Sequence, residues 1–315
     1  MDFLTSLISV ALLVAMAVPG FVLRKTKLLG ASATGALVTV LLYVAQPLLI
    51  VSSFFKKAYE PQLLAGMGWV LLFTTVLLFA VYGIARLVYC KRRDETGRLA
   101  PSARACVVAA TISNCSFMGI PVLQALFPND PVPVIYSAVF NIPFQIFCWT
   151  VVVYTVTGER KHISLKRALL NPPTVALVVA LPIFFIGCTV PAQIMSAVDF
   201  LGNMTTPLSM IVMGIRLAEI RPKELFTSVE VYVSCGLRLV VSPLLTLGLM
   251  LLVDLLVPIG PTVIASMYVM TAMPAAASTL MFCEKYDGDT ATAVKCMLLS
   301  NLLCIVTIPV LLLLL

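Results

Sequence analysis

Two short segments decide the fold of this chain: SNCSFMGIP at residues 113–121 and TAMPAAAS at residues 271–278. Each places a proline inside a long apolar run, where proline removes a backbone donor and clashes with the preceding turn. In hydrocarbon, the carbonyl groups freed in this way need other partners. Small residues beside Pro121 and Pro274 would let another backbone approach closely. We therefore predict two broken helices near mid-membrane, and simple kinks are the alternative interpretation of the same prolines.

The composition around these segments is that of a protein solvated mainly by lipid. Of 315 residues, 61% are hydrophobic and 11% are charged, and the mean hydropathy is +1.06. A soluble globular chain is about half apolar and about a quarter charged. We therefore predict an all-α integral membrane protein without a soluble domain, because the longest polar stretch runs only from Cys90 to Arg104.

Apolar runs of about 20 residues, the length that spans a bilayer, predict ten transmembrane helices. The first 23 residues lack a basic segment and a small-residue cleavage site. We interpret them as a retained helix rather than a cleaved signal peptide. The predicted bounds are 4–23, 33–55, 63–88, 105–126, 133–156, 168–188, 192–217, 228–256, 260–283 and 290–315.

Basic residues favour one side of the predicted bundle. The loops after helices 1, 3, 5, 7 and 9 are basic, whereas the opposite loops offer little beyond Lys56 and Lys57. By the positive-inside rule the basic side is cytoplasmic, which places both termini outside a plasma membrane, such as a bacterial inner membrane. The net charge of +7 forms short clusters rather than the contiguous basic face of a nucleic-acid-binding protein. The residues assigned to the cytoplasmic side are Arg24, Lys25, Lys27, Lys91, Arg92, Arg93, Arg98, Arg104, Arg160, Lys161, Lys166, Arg167, Arg216, Arg221, Lys223, Lys285 and Lys295.

Residues that recur at half-chain spacing predict an internal repeat. Pro47 pairs with Pro207 and Asn141 with Asn301, each pair 160 residues apart, and the two broken-helix prolines are 153 residues apart. Five helices in each half would give the halves opposite orientations, which is a common plan of secondary transporters. The predicted repeats are residues 1–158 and 159–315.

Each broken helix would begin its second half with free N–H groups, whose partial positive charge attracts anions. Such groups would bind a carboxylate without a full positive charge in the membrane. Asn114 lies about two turns before Pro121 on the same face, and Asn141 and Gln145 share a face of helix 5. Interhelical hydrogen bonding is the alternative role for these polar residues. The predicted substrate-binding residues are Pro47, Ser113, Asn114, Gly119, Ile120, Pro121, Asn141, Gln145, Thr271, Met273, Pro274 and Ala275.

The sequence lacks the residue patterns of an enzyme or an ATP-driven pump. Nine cysteines form no CxxC pair, and the single histidine, His162, lies in a basic loop, so we predict no metal site and no cofactor. A central aspartate pair, a Ser–His arrangement and a GxxxxGK[ST] loop are also missing. Arg238, inside helix 8, could attract an anion, pair with a carboxylate or extend to the interface. Without a central carboxylate no coupling-ion site is evident, and uniport driven by the membrane potential is one possibility.

These motifs resemble those of the auxin efflux carrier family, which includes plant PIN-FORMED auxin exporters and bacterial permeases for malonate and malate. Residues 113–122, SNCSFMGIPV, resemble the family's fourth-helix motif. Residues 46–49, 206–210 and 273–287 contain segments similar to its second, seventh and ninth helices, in the same order. The short link between helices 5 and 6 favours a compact, bacterial-type member.

The resemblance implies two inverted five-helix repeats, with helices 4 and 9 crossing at mid-membrane beside the substrate. It implies that Asn114 contacts a carboxylate, that Pro121 and Pro274 mark the crossing points, and that Asn141 supports the site where plant carriers have glutamine. It also implies a scaffold of helices 1, 2, 6 and 7, a moving transport part of helices 3–5 and 8–10, and a homodimer through the scaffold.

The function expected from these observations is secondary transport of a small organic anion by elevator-type alternating access. The anion would be a mono- or dicarboxylate or an auxin-like acid. The expected partners are this anion and membrane lipid, with no nucleic acid. The alternative is a substrate sensor that kept the carrier fold and lost transport.

Overall fold

The computed structural model describes residues 11–13, 15–57, 60–187, 190–219, 226 and 228–315, without the side chains of residues 31 and 32. These residues form helices joined by turns and contain no strand, only two isolated backbone bridges. The predicted all-α class is therefore confirmed for this part of the chain. Residues 4–10 and 14 of the predicted first helix, and the predicted cytoplasmic residues Arg221 and Lys223, lie outside the described residues.

Six of the described helices are long and apolar enough to cross a membrane, namely Ala33–Phe55, Pro61–Val88, Val132–Thr157, Ala192–Ala218, Val229–Asp254 and Thr290–Leu312. The segments Arg160–Leu169 and Pro172–Ile186 would together make a seventh, with a bend of 43° between them. An interrupted helix is labelled by its halves a and b. The helices are α1 (Val18–Lys25), α2 (Ala33–Phe55), α3 (Pro61–Val88), α4a (Pro101–Thr111), α4b (Cys115–Leu126), α5 (Val132–Thr157), α6 (Pro172–Ile186), α7 (Ala192–Ala218), α8 (Val229–Asp254), α9a (Pro261–Ala272), α9b (Ser278–Lys285) and α10 (Thr290–Leu312).

The interruption of helix 4 lies earlier than the sequence predicted. The first half ends at Thr111, the backbone is extended at Ile112, and α4b continues unbroken through Pro121. The π turn at Cys115–Gly119 explains the difference, because its hydrogen bond reaches five residues back and the wider turn accommodates the proline. Pro121 therefore does not mark a break, and the prediction of its position was wrong.

The same local arrangement occurs at two other prolines. The π turns Leu41–Ala45 and Leu237–Val241 each end two residues before a proline, Pro47 and Pro243. Pro274 differs, because the residue before it is extended, as steric contact with the proline ring favours. Helix 9 is therefore interrupted at the predicted proline.

Helix α1 packs against α7 through two glycines that allow direct backbone contact. A Cβ atom at Gly214 would lie 1.8 Å from the carbonyl oxygen of Ala17, and one at Gly20 would lie 2.1 Å from that of Ile211. Gly202 has the same role where α7 meets the backbone of α2. Small residues thus let α1, α2 and α7 pack closely.

A second group of helices surrounds α4a, which is buried along most of its length against α3, α8 and α10. Cys106, Cys235 and Cys296 lie in this group, with 3.8 Å between the Sγ atoms of Cys106 and Cys296. The eight described cysteines are all free. The buried ones fill the interior as small apolar side chains.

The substitution Gly214→Ala tests the contact between α1 and α7. The added methyl group would overlap the carbonyl oxygen of Ala17, and overpacking of this kind costs about 1–3 kcal/mol. We expect the melting temperature of the detergent-purified protein to fall. Gly248→Ala in α8 is the control, because nothing lies within 4 Å of its added methyl group and alanine favours a helix. Equal melting temperatures for the two variants would contradict the contact.

Candidate functional site

The interruptions of α4 and α9 lie against each other and exchange backbone hydrogen bonds. The N–H of Asn114 donates to the carbonyl of Pro274 at 2.7 Å, and the N–H of Ala276 donates to the carbonyl of Ile112 at 3.0 Å. Two N–H groups and two carbonyls that lack a helical partner are therefore satisfied by the other interruption. We call residues 112–114 and 274–276 the crossing.

Helix α10 supports the crossing through one serine. Ser113 and Ala275 face each other in an antiparallel bridge. The N–H of Ala275 donates to Ser300 Oγ at 3.0 Å, and the hydroxyl of Ser300 donates to the carbonyl of Met297 at 3.0 Å. The α9 side of the crossing, residues 274–276, is thereby bound to α10 as well as to α4.

Arg238 of α8 binds the carboxyl ends of both first halves. Its Nη1 donates to the carbonyl of Thr111 at 2.6 Å and to that of Ala110 at 3.4 Å. Its Nη2 donates to Ser242 Oγ at 2.6 Å and to the carbonyl of Thr271. The residue is 2% exposed, so it does not extend to the interface, and it forms no ion pair with a carboxylate among the described residues. The sequence identified this arginine but not its backbone acceptors.

The amino ends of both second halves face one cavity of about 1020 Å³. In α4b the first donor within the helix is Met118, so the N–H groups of residues 115–117 have no acceptor in their own helix. In α9b the first donor is Thr279, which leaves the N–H groups of Ala277 and Ser278 in the same position. All five of these residues line the cavity. It therefore meets the partial positive charge of two helix ends.

Three of the predicted site residues, Ser113, Asn114 and Gln145, line the cavity. Within the described residues, the side-chain amides of Asn114 and Gln145 form no hydrogen bond. Both are therefore available to a ligand. The predicted residues that are not part of the cavity lining are Pro47, Gly119, Ile120, Pro121, Asn141, Thr271, Met273, Pro274 and Ala275.

Asn141 and Asn301, the predicted repeat pair, make equivalent hydrogen bonds through Nδ2 but differ in whether Oδ1 has a partner. Nδ2 of Asn141 donates to the carbonyl of Ser137 at 3.0 Å, and Nδ2 of Asn301 donates to that of Met297 at 2.9 Å, each four residues back. Oδ1 of Asn141 accepts a bond from Ser116 at 3.1 Å. Oδ1 of Asn301 has no partner in the described part of the chain, although Asn301 is 7% exposed and lines the cavity. Buried acceptors without a partner are uncommon in folded proteins.

Sequence reasoning missed two polar contacts between α4b and its neighbours. Gln46 Nε2 of α2 donates to the carbonyl of Ser116 at 2.8 Å. The hydroxyl of Thr206 in α7 donates to Gln124 Oε1 at 2.6 Å. Gln46 and Thr206 each come directly before one of the prolines that indicated the repeat. The polar residue before each of these prolines was therefore the sequence signal for contacts with α4b, and the prediction did not use it.

One part of the cavity wall carries positive charge. Lys166, Arg167 and Arg216 line it together with the carboxylate of Glu284. Arg167 also lies over the ring of Trp149, with its guanidinium carbon 5.5 Å from the ring centroid. An anion entering here would meet more positive than negative side chains.

His162 lies in the loop after α5, outside the cavity lining. Its Nε2 atom is 3.2 Å from the carboxylate of Glu159. The pKa of Glu159 is lowered, mainly by a hydrogen bond from Lys161 and next by the positive charge of the same lysine.

Across the residues that the structure describes, no three His, Cys, Asp or Glu side chains are grouped so that they could hold a metal ion.

Alanine substitutions of the asparagine pair test the difference between them. Asn141→Ala removes the hydrogen bond that Ser116 donates to the amide oxygen, which is worth about 0.5–1.5 kcal/mol. Asn301→Ala removes an oxygen that has no partner among the described residues. We expect the melting temperature without added acid to fall more for Asn141→Ala than for Asn301→Ala. A larger fall for Asn301→Ala would show that its oxygen is already engaged within the protein.

Comparison with known proteins agrees with the helical membrane architecture. Residues 5–312 match the family described as "Membrane transport protein". The chain is also 24% identical, over 318 residues, to a protein of Methanothermobacter thermautotrophicus described as an uncharacterized transporter. That alignment covers 98% of both chains.

Proposed function

Because the chain belongs to the membrane transport protein family, we propose that it is a secondary carrier of a small organic anion, such as a mono- or dicarboxylate. The family match confirms the resemblance to auxin efflux carriers and indicates a transporter rather than an enzyme. The substrate class, the elevator movement and the binding residues are our proposals. They rest on the crossing and on the cavity beside it.

The observation that carries the proposal is the pair of helix amino ends at one cavity. The N–H groups of residues 115–117, Ala277 and Ser278 have no acceptor within their helices, and these residues line the cavity. Each helix amino end carries about half a positive elementary charge. Two such ends would balance about one carboxylate, and broken helices in carriers bind anionic substrate groups in this way.

Side chains around the cavity would orient the anion. The amides of Asn114 and Gln145 can donate to carboxylate oxygens. Asn301 lines the same cavity, although its Oδ1 atom, which has no partner among the described residues, is itself buried. The volume of about 1020 Å³ is at the upper end of ligand pockets, so a small acid would bind with water around it.

The topology that we propose has ten helices in two inverted repeats. Six or seven helices have the length and apolarity of a span, and each interrupted helix with its two halves would add another, as would α1. The cavity wall with Lys166, Arg167 and Arg216 lies on the side that the charge bias assigns to the cytoplasm. The structure would then be open to the cytoplasm, with both termini outside.

The packing of the helices supports an elevator movement. Helix α2 packs on α6 and α7, and α7 packs on α1, whereas α4a packs on α3, α8 and α10. The first set is the proposed scaffold and the second belongs to the proposed transport part. The bonds from Gln46 to Ser116 and from Thr206 to Gln124 join the two parts and would exchange partners during movement. A homodimer through the scaffold stays a prediction of the resemblance.

Uptake of labelled carboxylates into proteoliposomes tests the proposal. We expect saturable flux of at least one small acid. Asn114→Ala should raise the KM about tenfold or more, because it removes a donor to a charged group worth about 1.5–3 kcal/mol. The control is Asn129→Ala, an exposed asparagine in the loop before α5, which should leave the KM unchanged.

Two outcomes would count against carrier function. Saturable binding of an acid without flux, in protein that melts cooperatively, would favour the sensor. Neither binding nor flux with any mono- or dicarboxylate would contradict the assignment of the anion site.

A further inference from the structure

Arg238 carries a full positive charge that other side chains do not balance. It is 2% exposed, and no described carboxylate forms an ion pair with it. Its partners are the carbonyls of Ala110, Thr111 and Thr271 and the hydroxyl of Ser242. A buried unpaired charge is strongly unfavourable, so these acceptors must supply the compensation.

The carboxyl ends of α4a and α9a provide it. Each helix carboxyl end carries about half a negative elementary charge, so two ends that meet at one point offer about one. The guanidinium group donates to the terminal carbonyls of both helices at once. The two Nη groups of the planar guanidinium thus reach one helix end each, while its Nε has no partner among the described residues.

Carriers with broken helices commonly use these same helix ends for another purpose. Their unwound carbonyls and half-helix carboxyl ends coordinate a co-transported cation, while the amino ends face the anionic substrate. In this protein the amino ends face the cavity, and the carboxyl ends are bonded to Arg238.

We propose that Arg238 is a resident cation of the crossing, bound where a coupling metal ion would otherwise be held. The inference rests on the proposed carrier function. The carbonyls of Thr111 and Thr271 would then bind Arg238 throughout the cycle, and anion binding would require no Na⁺ or other metal cation. Arg238 acts through the crossing and is a positioning residue, because it does not line the cavity.

Melting temperatures measured without any acid test the inference directly. We expect the wild-type protein to melt at the same temperature in sodium chloride and in choline chloride of equal ionic strength. Arg238→Ala should melt about 5 °C lower or more, since a network of buried bonds is lost. Methylguanidinium or Na⁺, below denaturing concentrations, should partly restore its melting temperature by occupying the vacated carbonyls.

The matched control is Arg86→Ala at the end of α3, where the arginine is exposed and, within the described part of the chain, donates a hydrogen bond only to Tyr82. Its melting temperature should show no such recovery. A saturable stabilisation of the wild-type protein by Na⁺ over choline would overturn the inference, as would a folded Arg238→Ala that responds to neither cation.

A second variant decides the question if Arg238→Ala does not fold. Arg238→Lys keeps the positive charge, so it should fold and remain insensitive to Na⁺, and saturable stabilisation by Na⁺ would contradict the inference.

Uptake assays separate this result from the proposed function. Equal flux in sodium and choline buffers supports both the carrier function and the role of Arg238 as a resident cation. Flux that needs Na⁺ supports the carrier function but overturns the role of Arg238. Absence of binding and flux with every acid contradicts the carrier, whereas the melting data still report on the cation.

Discussion

The hydrogen bonds between the two interruptions are the constraint on which this structure depends. Backbone groups buried at the level of the hydrocarbon core have no lipid groups with which to form hydrogen bonds. The N–H and carbonyl groups freed where a helix stops must therefore bind to other parts of the protein. Here Asn114 donates to Pro274 and Ala276 donates to Ile112, so each break satisfies the other. Neither helix could be interrupted at this place alone, and four helix ends are brought together at one point as a result.

The partial charges of those four helix ends lie at two different places in the protein. The carboxyl ends of α4a and α9a meet the guanidinium group of Arg238, and the amino ends of α4b and α9b meet the cavity. The interior thus holds a compensated positive charge next to a cavity in which three cationic side chains and two helix amino ends face one described carboxylate, that of Glu284. An anionic ligand is the species that such a cavity would attract, which is why the proposed function and the role of Arg238 follow from the same geometry.

Sequence reasoning predicted the features that local chemistry controls. The helical membrane class follows from composition, the break at Pro274 from the ring that forces the preceding residue to be extended, and two cavity amides, Asn114 and Gln145, from their polarity in apolar runs. The break in helix 4 was misplaced because it occurs at Ile112, whose extended backbone is held by a residue far along the chain. The acceptors of Arg238 are backbone carbonyls on two other helices, which no side-chain pattern encodes.

The most direct test of the central claim is an experimental structure with a bromine-substituted carboxylate that competes with a transported acid. The anomalous signal of bromine locates such a ligand independently of the fitted coordinates. We expect one site in the cavity, with the carboxylate within about 3 Å of the amino ends of α4b and α9b. A bound acid at any other place, with these amide groups facing only water, would contradict it.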